Sequence, residues 1–248
     1  MTEQKHAVIT GGGRGIGAAV AAAFDTAGIR TTLLGRDVSK LEATADRLTS
    51  AACLQLDVTD VNAVRNTFEQ IEGPVDILVN NAGIGPSSPF NRHSAEVWHN
   101  TFAVNVHGAF YCTQAVIDGM AERDWGRVIN IASTSALKGY GYVAGYCASK
   151  HALLGLTRAL AVEYAKKNIT FNAICPGFAE TDLLADSVEN IVGKTGRSEE
   201  DARKALASNN PQGRFIQPEE VAETAMWLIS DAACSITGQA ISISGGEI

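Results

Sequence analysis

The sequence predicts an α/β chain of the doubly wound type, with seven mostly parallel strands in one sheet and helices on both faces. Three observations predict it. Short β-branched runs alternate with longer helix-compatible runs, the pattern of βαβ units. Several strand runs are almost continuously apolar, as strands covered on both faces are. A glycine turn, Thr10-Gly-Gly-Gly-Arg-Gly-Ile-Gly17, stands between the first strand and the first helix.

In chain order, the β-branched and apolar runs place strands at His6–Thr10, Ile29–Leu34, Cys53–Asp57, Val75–Asn80, Arg127–Ser133, Ile169–Ile174 and Ala240–Ser244. The runs between them are long enough for helices at Arg14–Ala27, Val38–Thr49, Asp60–Ile71, Ser94–Glu122, Gly145–Lys166 and Pro218–Ser230. Asp60 is suited to capping the third of these. Right-handed crossovers then distribute the helices over both faces. The stretch Ala179–Gly213 breaks the alternation, mixing weak helix signals with Gly193, Gly196, Asn209-Asn210 and Pro211. A long irregular insertion of that kind reads as a lid over a site. With no linker, repeat or low-complexity tract, residues 1–248 read as a single domain.

Composition excludes several function classes. The chain is 46% hydrophobic and 19% charged, with a net charge of −7. No basic run exceeds Lys166-Lys167, so nucleic acid is not an expected partner. No stretch approaches ~18 consecutive apolar residues, so no membrane span is expected, and no apolar segment follows a basic start, so no signal peptide is expected either. The five cysteines (Cys53, Cys112, Cys147, Cys175 and Cys234) are scattered and form no Cys-x-x-Cys pair. A reduced, cytoplasmic protein with buried thiols is the expectation. The five histidines do not cluster with acids or thiols, so no metal site is expected.

Two features carry chemistry. In the glycine turn, Gly11, Gly15 and Gly17 let backbone approach a ligand closely, and the helix that follows offers free N–H groups and a positive dipole end to a pyrophosphate. Ligands of open α/β sheets bind outside the carboxyl ends of the strands, where Asp57-Val58 and Asn80-Asn81-Ala82-Gly83 lie. Asp57 could accept a hydrogen bond from an adenine amino group, and Asn81 suits tying neighbouring loops together. The second feature is Tyr146-x-x-x-Lys150, with Ser133 thirteen residues upstream at a strand end. A four-residue helical step puts phenol and ammonium on one face. An ammonium there favours phenolate and makes the tyrosine a usable proton donor or acceptor. Ser135, at eleven residues from Tyr146, is a rival that fits less well. Tyr140 and Tyr142 lack a lysine four residues on and are assigned to the pocket wall. There is no Gly-x-Ser-x-Gly elbow, which argues against serine hydrolysis.

Taken together, Thr10–Gly17, Asp57, Asn80–Gly83, Asn105, Ser133, Tyr146, Lys150 and Pro176-Gly177 make the chain resemble, over essentially its whole length, a compact short-chain dehydrogenase/reductase. The resemblance implies a Rossmann fold and an oxidoreductase that interconverts a ketone and a secondary alcohol. Tyr146 would be the general acid/base, and Lys150 would also hydrogen-bond the nicotinamide ribose. Ser133 would orient the substrate oxygen, and Asn105 would hold a water in a proton relay. It further implies a nicotinamide cofactor held by Gly11, Arg14, Gly15, Ile16, Gly17, Arg36, Asp57, Val58, Asn81, Ala82, Gly83, Tyr146, Lys150, Pro176, Gly177, Phe178 and Thr181. At the second strand's end, an acid would grip the ribose 2′-OH and an arginine the 2′-phosphate. Arg14 and Arg36 favour NADP(H), with Asp37 the counter-argument and NAD(H) the alternative. Gly177 is expected to let backbone approach the nicotinamide ring. The pocket, with Ser133, Tyr140, Tyr142, Phe178 and Leu183, suits a mostly apolar ketone or alcohol. Asn210–Val221 resembles the matching segment of 3-oxoacyl-thioester reductases and aromatic polyketide ketoreductases, which makes a thioester a candidate substrate. The resemblance also implies a homodimer or homotetramer. Two readings remain beside it, an NAD-dependent alcohol dehydrogenase and a non-catalytic dinucleotide-sensing protein.

Overall fold

The computed structural model describes residues 4–248. Seven parallel strands form one sheet: β1 His6–Thr10, β2 Arg30–Gly35, β3 Ala51–Gln55, β4 Ile77–Asn80, β5 Gly126–Ile131, β6 Ile169–Pro176 and β7 Ala240–Ile243. Their spatial order is β3-β2-β1-β4-β5-β6-β7. Every neighbouring pair is parallel. The order reverses between β1 and β4, which opens a crevice at their carboxyl ends.

The strands hold their place because both faces are apolar. In β1, Ala7 and Ile9 enter one core and Val8 the other; in β4, Ile77 and Val79 enter the first and Leu78 the second. The first core packs under α1 (Gly15–Thr26) and α9 (Pro218–Ile229), through Val20, Phe24, Val221 and Leu228. The second packs under α3 (Val61–Glu69) and α5 (Gly108–Glu122), through Val64, Cys112, Val116 and Met120. A third, smaller core seats α6 (Ala144–Glu163) through Leu153 and Leu154. Truncating a fully buried member such as Ile9 to Ala costs about 2–5 kcal/mol.

The differences from the sequence reading have local causes. Helix α2 (Val38–Ala45) ends short of Thr49, because the Asp25 carboxylate holds the Thr49 N–H at 2.9 Å and the Ser50 N–H at 3.0 Å. The single helix expected over Ser94–Glu122 is α4 (Ala95–Phe102) joined to α5 by a π turn, Ala103–His107. Wide π turns inside helices recur at functional sites, and this one carries Asn105.

The stretch expected to be irregular, Ala179–Gly213, instead contains α7 (Asp182–Thr195) and α8 (Glu199–Ala207). Gly196 ends α7 in the left-handed region at φ 69°. Ser198 then caps α8, accepting from Asp201 N–H, ahead of an acidic first turn. Leu184 and Val188 of α7 pack with Ala202 and Phe215 in a core of their own, against which Phe178 lies. The thiols also depart from expectation. Cys112, Cys147 and Cys175 are buried, but Cys53 is half-buried and Cys234 exposed. Among the described residues no helix is long and apolar enough to cross a membrane, and no cluster suits a metal ion.

Candidate active site

At the carboxyl end of β1 the glycine turn is shaped from β4. Asn81 Nδ2 donates to the carbonyls of Thr10 and Gly11, each at 3.0 Å. Thr10 Oγ1 accepts from the N–H groups of Asn81 and Ala82, also at 3.0 Å. A Cβ on Gly17 would collide with the Gly11 carbonyl and the Asn81 amide, so α1 can start this close only with glycine there. Asn81 therefore builds the turn with its side chain, and Asn80 donates within the sheet to Asn130 Oδ1 at 2.8 Å.

Helix α1 has no side-chain cap and no acid in its first turn, whereas Asp37 and Asp60 cap α2 and α3. Its leading N–H groups and positive dipole end are left for an anion, which fits a dinucleotide pyrophosphate. Ile16 packs on the first core and Val58 against Gly108.

The two arginines that favour NADP(H) have different neighbours. Arg14 pairs with Asp182 at the start of α7. Arg36 stays at the end of β2, near Asp57. The Asp57 carboxyl lies below its ordinary range: burial opposes this, but hydrogen bonds from the Thr59 N–H and hydroxyl, aided by the charge of Arg36, outweigh it. Asp37, the residue that argued for a free ribose, accepts from Lys40 N–H and Ser39 Oγ as the α2 cap.

The proposed chemical groups meet around the first turn of α6. Ser133 Oγ accepts from Ser135 N–H at 3.0 Å, capping a 3₁₀ turn at Thr134–Ala136, and stands near enough to the Tyr146 phenol to act on its acidity. Ser135 is buried, whereas Ser133 is only half-buried. Lys150 is 4% exposed; its Nζ donates to the Ile131 carbonyl at 2.8 Å and lies 5.7 Å from the Tyr146 ring centroid. Burial pushes the Tyr146 phenol up to about 12, against the lowering effect of Ser133. Burial also brings Lys150 down to about 8. Burial of both side chains thus works against the acidification of the phenol expected from the ammonium. Tyr146 holds its proton at neutral pH.

Asn105, 1% exposed, clamps the loop after β4. Its Oδ1 accepts from Ile84 N–H at 2.8 Å, and its Nδ2 donates to the Ile84 carbonyl at 2.9 Å and to Ser149 Oγ at 3.0 Å. Ser149 in turn donates to the Tyr146 carbonyl at 2.8 Å. The carboxamide is thus engaged by the loop and by α6, with both amide hydrogens used. A methyl on Gly83 would sit 3.4 Å from Asn105 Oδ1 and 3.5 Å from Lys150 Nζ. Gly83 thus sets Lys150 against the loop that Asn81 ties to the nucleotide turn.

The rest of the crevice is walled by α7 and nearby loops. Thr181 packs against Gly15, and Leu183 and Tyr146 flank Gly85. Asn190 of α7 hydrogen-bonds Ser87. Tyr140 meets Phe178 edge-on, ring centroids 6.3 Å apart. Tyr142 departs from the pocket reading: at φ 70° its side chain is 71% exposed, and its carbonyl accepts from Ser88 N–H at 2.8 Å. At Gly177, behind Pro176, the space a Cβ would take is bounded by Glu247 Oε2 at 3.3 Å and by Ser244, so this glycine makes room for the segment after β7. Sequence reasoning missed Ser149, Asp182 and Glu247, for which spacing offers no signal.

The chain is similar to known proteins over nearly all of its length. A family model described as short chain dehydrogenase matches residues 5–191. The chain is 36% identical to the acetoacetyl-CoA reductase of Shinella zoogloeoides over 97% of each protein. It is 34% identical to the D-beta-hydroxybutyrate dehydrogenase of Cupriavidus necator over 100% of this chain and 99% of that one. A solved structure of a variant actinorhodin polyketide ketoreductase with NADPH matches with a TM-score of 0.95 at 35% identity, over 98% and 97% of the two chains. With a crevice of this geometry and matches of this extent, the chain belongs to the short chain dehydrogenase family.

Proposed function

We propose that the chain is a single catalytic domain that reduces a ketone to a secondary alcohol with NADP(H). The carrying observation is that Ser133, Tyr146 and Lys150 gather at the start of α6, with Lys150 against Gly83 in the loop that Asn81 ties to the nucleotide turn. The glycine turn and the uncapped N-terminus of α1 would hold the pyrophosphate, with Asp57 and Val58 beside the adenine. Lys150 would hold the ribose, and the main chain near Phe178, with Thr181, the carboxamide. When bound, the dinucleotide supplies the hydride. Ser133 donates to the substrate carbonyl and orients it. Tyr146, a neutral phenol at pH 7, gives its proton to the oxygen that becomes the alcohol. Residues 179–213 act as a lid, since α7 runs from Thr181 beside Gly15 to Asn190 on Ser87.

The 3-oxoacyl thioesters, polyketides and cyclic or aromatic ketones are the substrate classes we favour. An acetoacetyl-CoA reductase and a polyketide ketoreductase are among the chain's relatives, and Leu183, Tyr140 and Phe178 make the wall largely apolar. Phe110 on α5 and Val162 on α6, 44% and 79% exposed, suit burial in a homodimer or homotetramer.

A panel of ketones and alcohols with NADPH and NADH, followed at the reduced-nicotinamide absorbance, tests the proposal; no turnover on any member would favour a nucleotide-sensing role instead. Arg36 is the one cation we assign to the 2′-phosphate, because Arg14 pairs with Asp182 and Asp37 caps α2. Arg36→Asp is therefore expected to lower the kcat/KM ratio of NADPH to NADH by about 10²-fold, the scale of a lost charge-assisted contact plus a new repulsion. An unchanged ratio would remove Arg36 from cofactor choice.

A further inference from the structure

Beyond the groups assigned above, a buried carboxylate stands at the edge of the substrate pocket with no role in that chemistry. After β7 the chain turns through Gly245 and Gly246, at φ 62° and 93°, and drives Glu247 inward. The Glu247 side chain is 2% exposed. Its Oε1 lies 2.6 Å from the Tyr140 hydroxyl and 2.9 Å from Lys138 Nζ, and that ammonium also stands 4.8 Å above the Tyr140 ring. The Tyr140 oxygen is equally 2.6 Å from Thr134 Oγ1. One phenol has one proton, and a carboxylate is the stronger acceptor, so Tyr140 donates to Glu247 and Thr134 donates to Tyr140. Glu247 Oε2 has no hydrogen-bond partner and faces Gly177.

These contacts join three separate pieces of the pocket. Lys138, Tyr140 and Thr134 belong to the loop that begins at Ser133. Gly177 and Phe178 form the turn after β6, and Phe178 meets the Tyr140 ring. Glu247 sits between them. A loop ordered by hydrogen bonds to a buried charge loses little on binding substrate, because its side chains are already immobilised.

Resting on the reductase reading above, we propose that Glu247 is a positioning residue, which clamps the substrate loop through Tyr140 and Lys138 onto the Gly177–Phe178 turn and so sets ketone affinity. It touches neither the hydride nor the proton that is transferred.

The test compares Glu247→Ala, Glu247→Gln, Tyr140→Phe and the Glu247→Ala/Tyr140→Phe double variant, with acetoacetyl-CoA as the ketone. Glu247→Ala is expected to raise its KM about tenfold, with kcat within about threefold, the signature of lost uniform binding. The NADPH Kd, read by nicotinamide fluorescence, is expected to stay within about twofold, since the backbone of the Gly177–Phe178 turn is also held by Ile243 and Ile216, each at 2.9 Å. Glu247→Gln, which still accepts the Tyr140 proton, recovers most of the KM. The double variant has a KM no higher than Glu247→Ala alone, because both changes break one contact. An unchanged KM in Glu247→Ala, or effects of Glu247→Ala and Tyr140→Phe that simply multiply, overturns the inference and leaves the reductase reading intact. If Glu247→Ala does not fold, Tyr140→Phe and Lys138→Ala decide, since each breaks the clamp from the loop side, and an unchanged KM in both overturns the inference. If the wild type reduces no ketone at all, the reductase reading fails instead. The clamp is then judged by urea unfolding of the same variants, where non-additive losses support it and additive ones overturn it.

Discussion

Tyr146→Phe is expected to lower kcat for ketone reduction by about 10³-fold while leaving NADPH affinity within about twofold, the range assigned to removal of a positioned general acid. The change deletes one oxygen and keeps the ring between Gly85, Leu183 and the first turn of α6. No large cavity opens, so the fold should hold. What is lost is the proton that the developing alkoxide requires. With the phenol raised to about 12 by burial, the group is protonated throughout the neutral range. Reduction should therefore show no acid requirement between pH 6 and about 8 that belongs to Tyr146 itself. The measurement is kcat against pH for wild type and variant, with NADPH binding followed by fluorescence. Turnover in the variant within tenfold of wild type would take Tyr146 out of the mechanism.

Parts of the molecule with a short repeat were legible in the sequence. Strands buried on both faces, such as Ala7–Ile9 and Ile77–Val79, appear as unbroken apolar runs, and their helices fall between them. Tyr146 and Lys150 were legible because one helical turn separates them. The π turn at Asn105 was not, because the inserted residue shifts the helical phase without any residue type of its own to mark it. Helices α7 and α8 were masked by Gly193, Gly196, Asn209-Asn210 and Pro211, which together read as irregular structure. Yet Gly193 lies on a helix face with open space around it, and Gly196 is the residue that ends α7. The Ser198–Asp201 cap and the Leu184–Val188 step were readable signals that those glycines obscured. Contacts such as Arg14 with Asp182 and Tyr140 with Glu247 span 168 and 107 residues. No periodicity encodes such pairs, and only the folded sheet brings them together. The same limit applies to Tyr146 acidity: one helical turn places the ammonium near the phenol, but how far both are removed from water is a property of the whole crevice.

Lys150→Met is expected to be the most damaging change after that of the tyrosine. It should lower kcat/KM for the ketone about 10²-fold or more, since it removes the buried cation 5.7 Å from the Tyr146 ring and, on the proposed reading, the group that holds the ribose. Unlike Tyr146→Phe, it should also weaken NADPH binding, and this difference separates the two roles. Stability offers an independent reading. The folded-state value of Lys150, about 8, lies below its ordinary 10.5. Between those limits the native protein binds fewer protons than the unfolded chain, so this group makes stability rise with pH, by at most about 1.4 kcal/mol per pH unit. The contribution is fully present above the unfolded value and is lost as pH falls through about 8. Tyr146, raised from 10 to about 12, acts in the opposite sense, but only as pH passes 10. Urea unfolding of wild type and Lys150→Met from pH 7.5 to 9.5 isolates the lysine. The wild type should gain stability relative to the variant across that window, and parallel curves would mean that Lys150 is not desolvated as the geometry indicates.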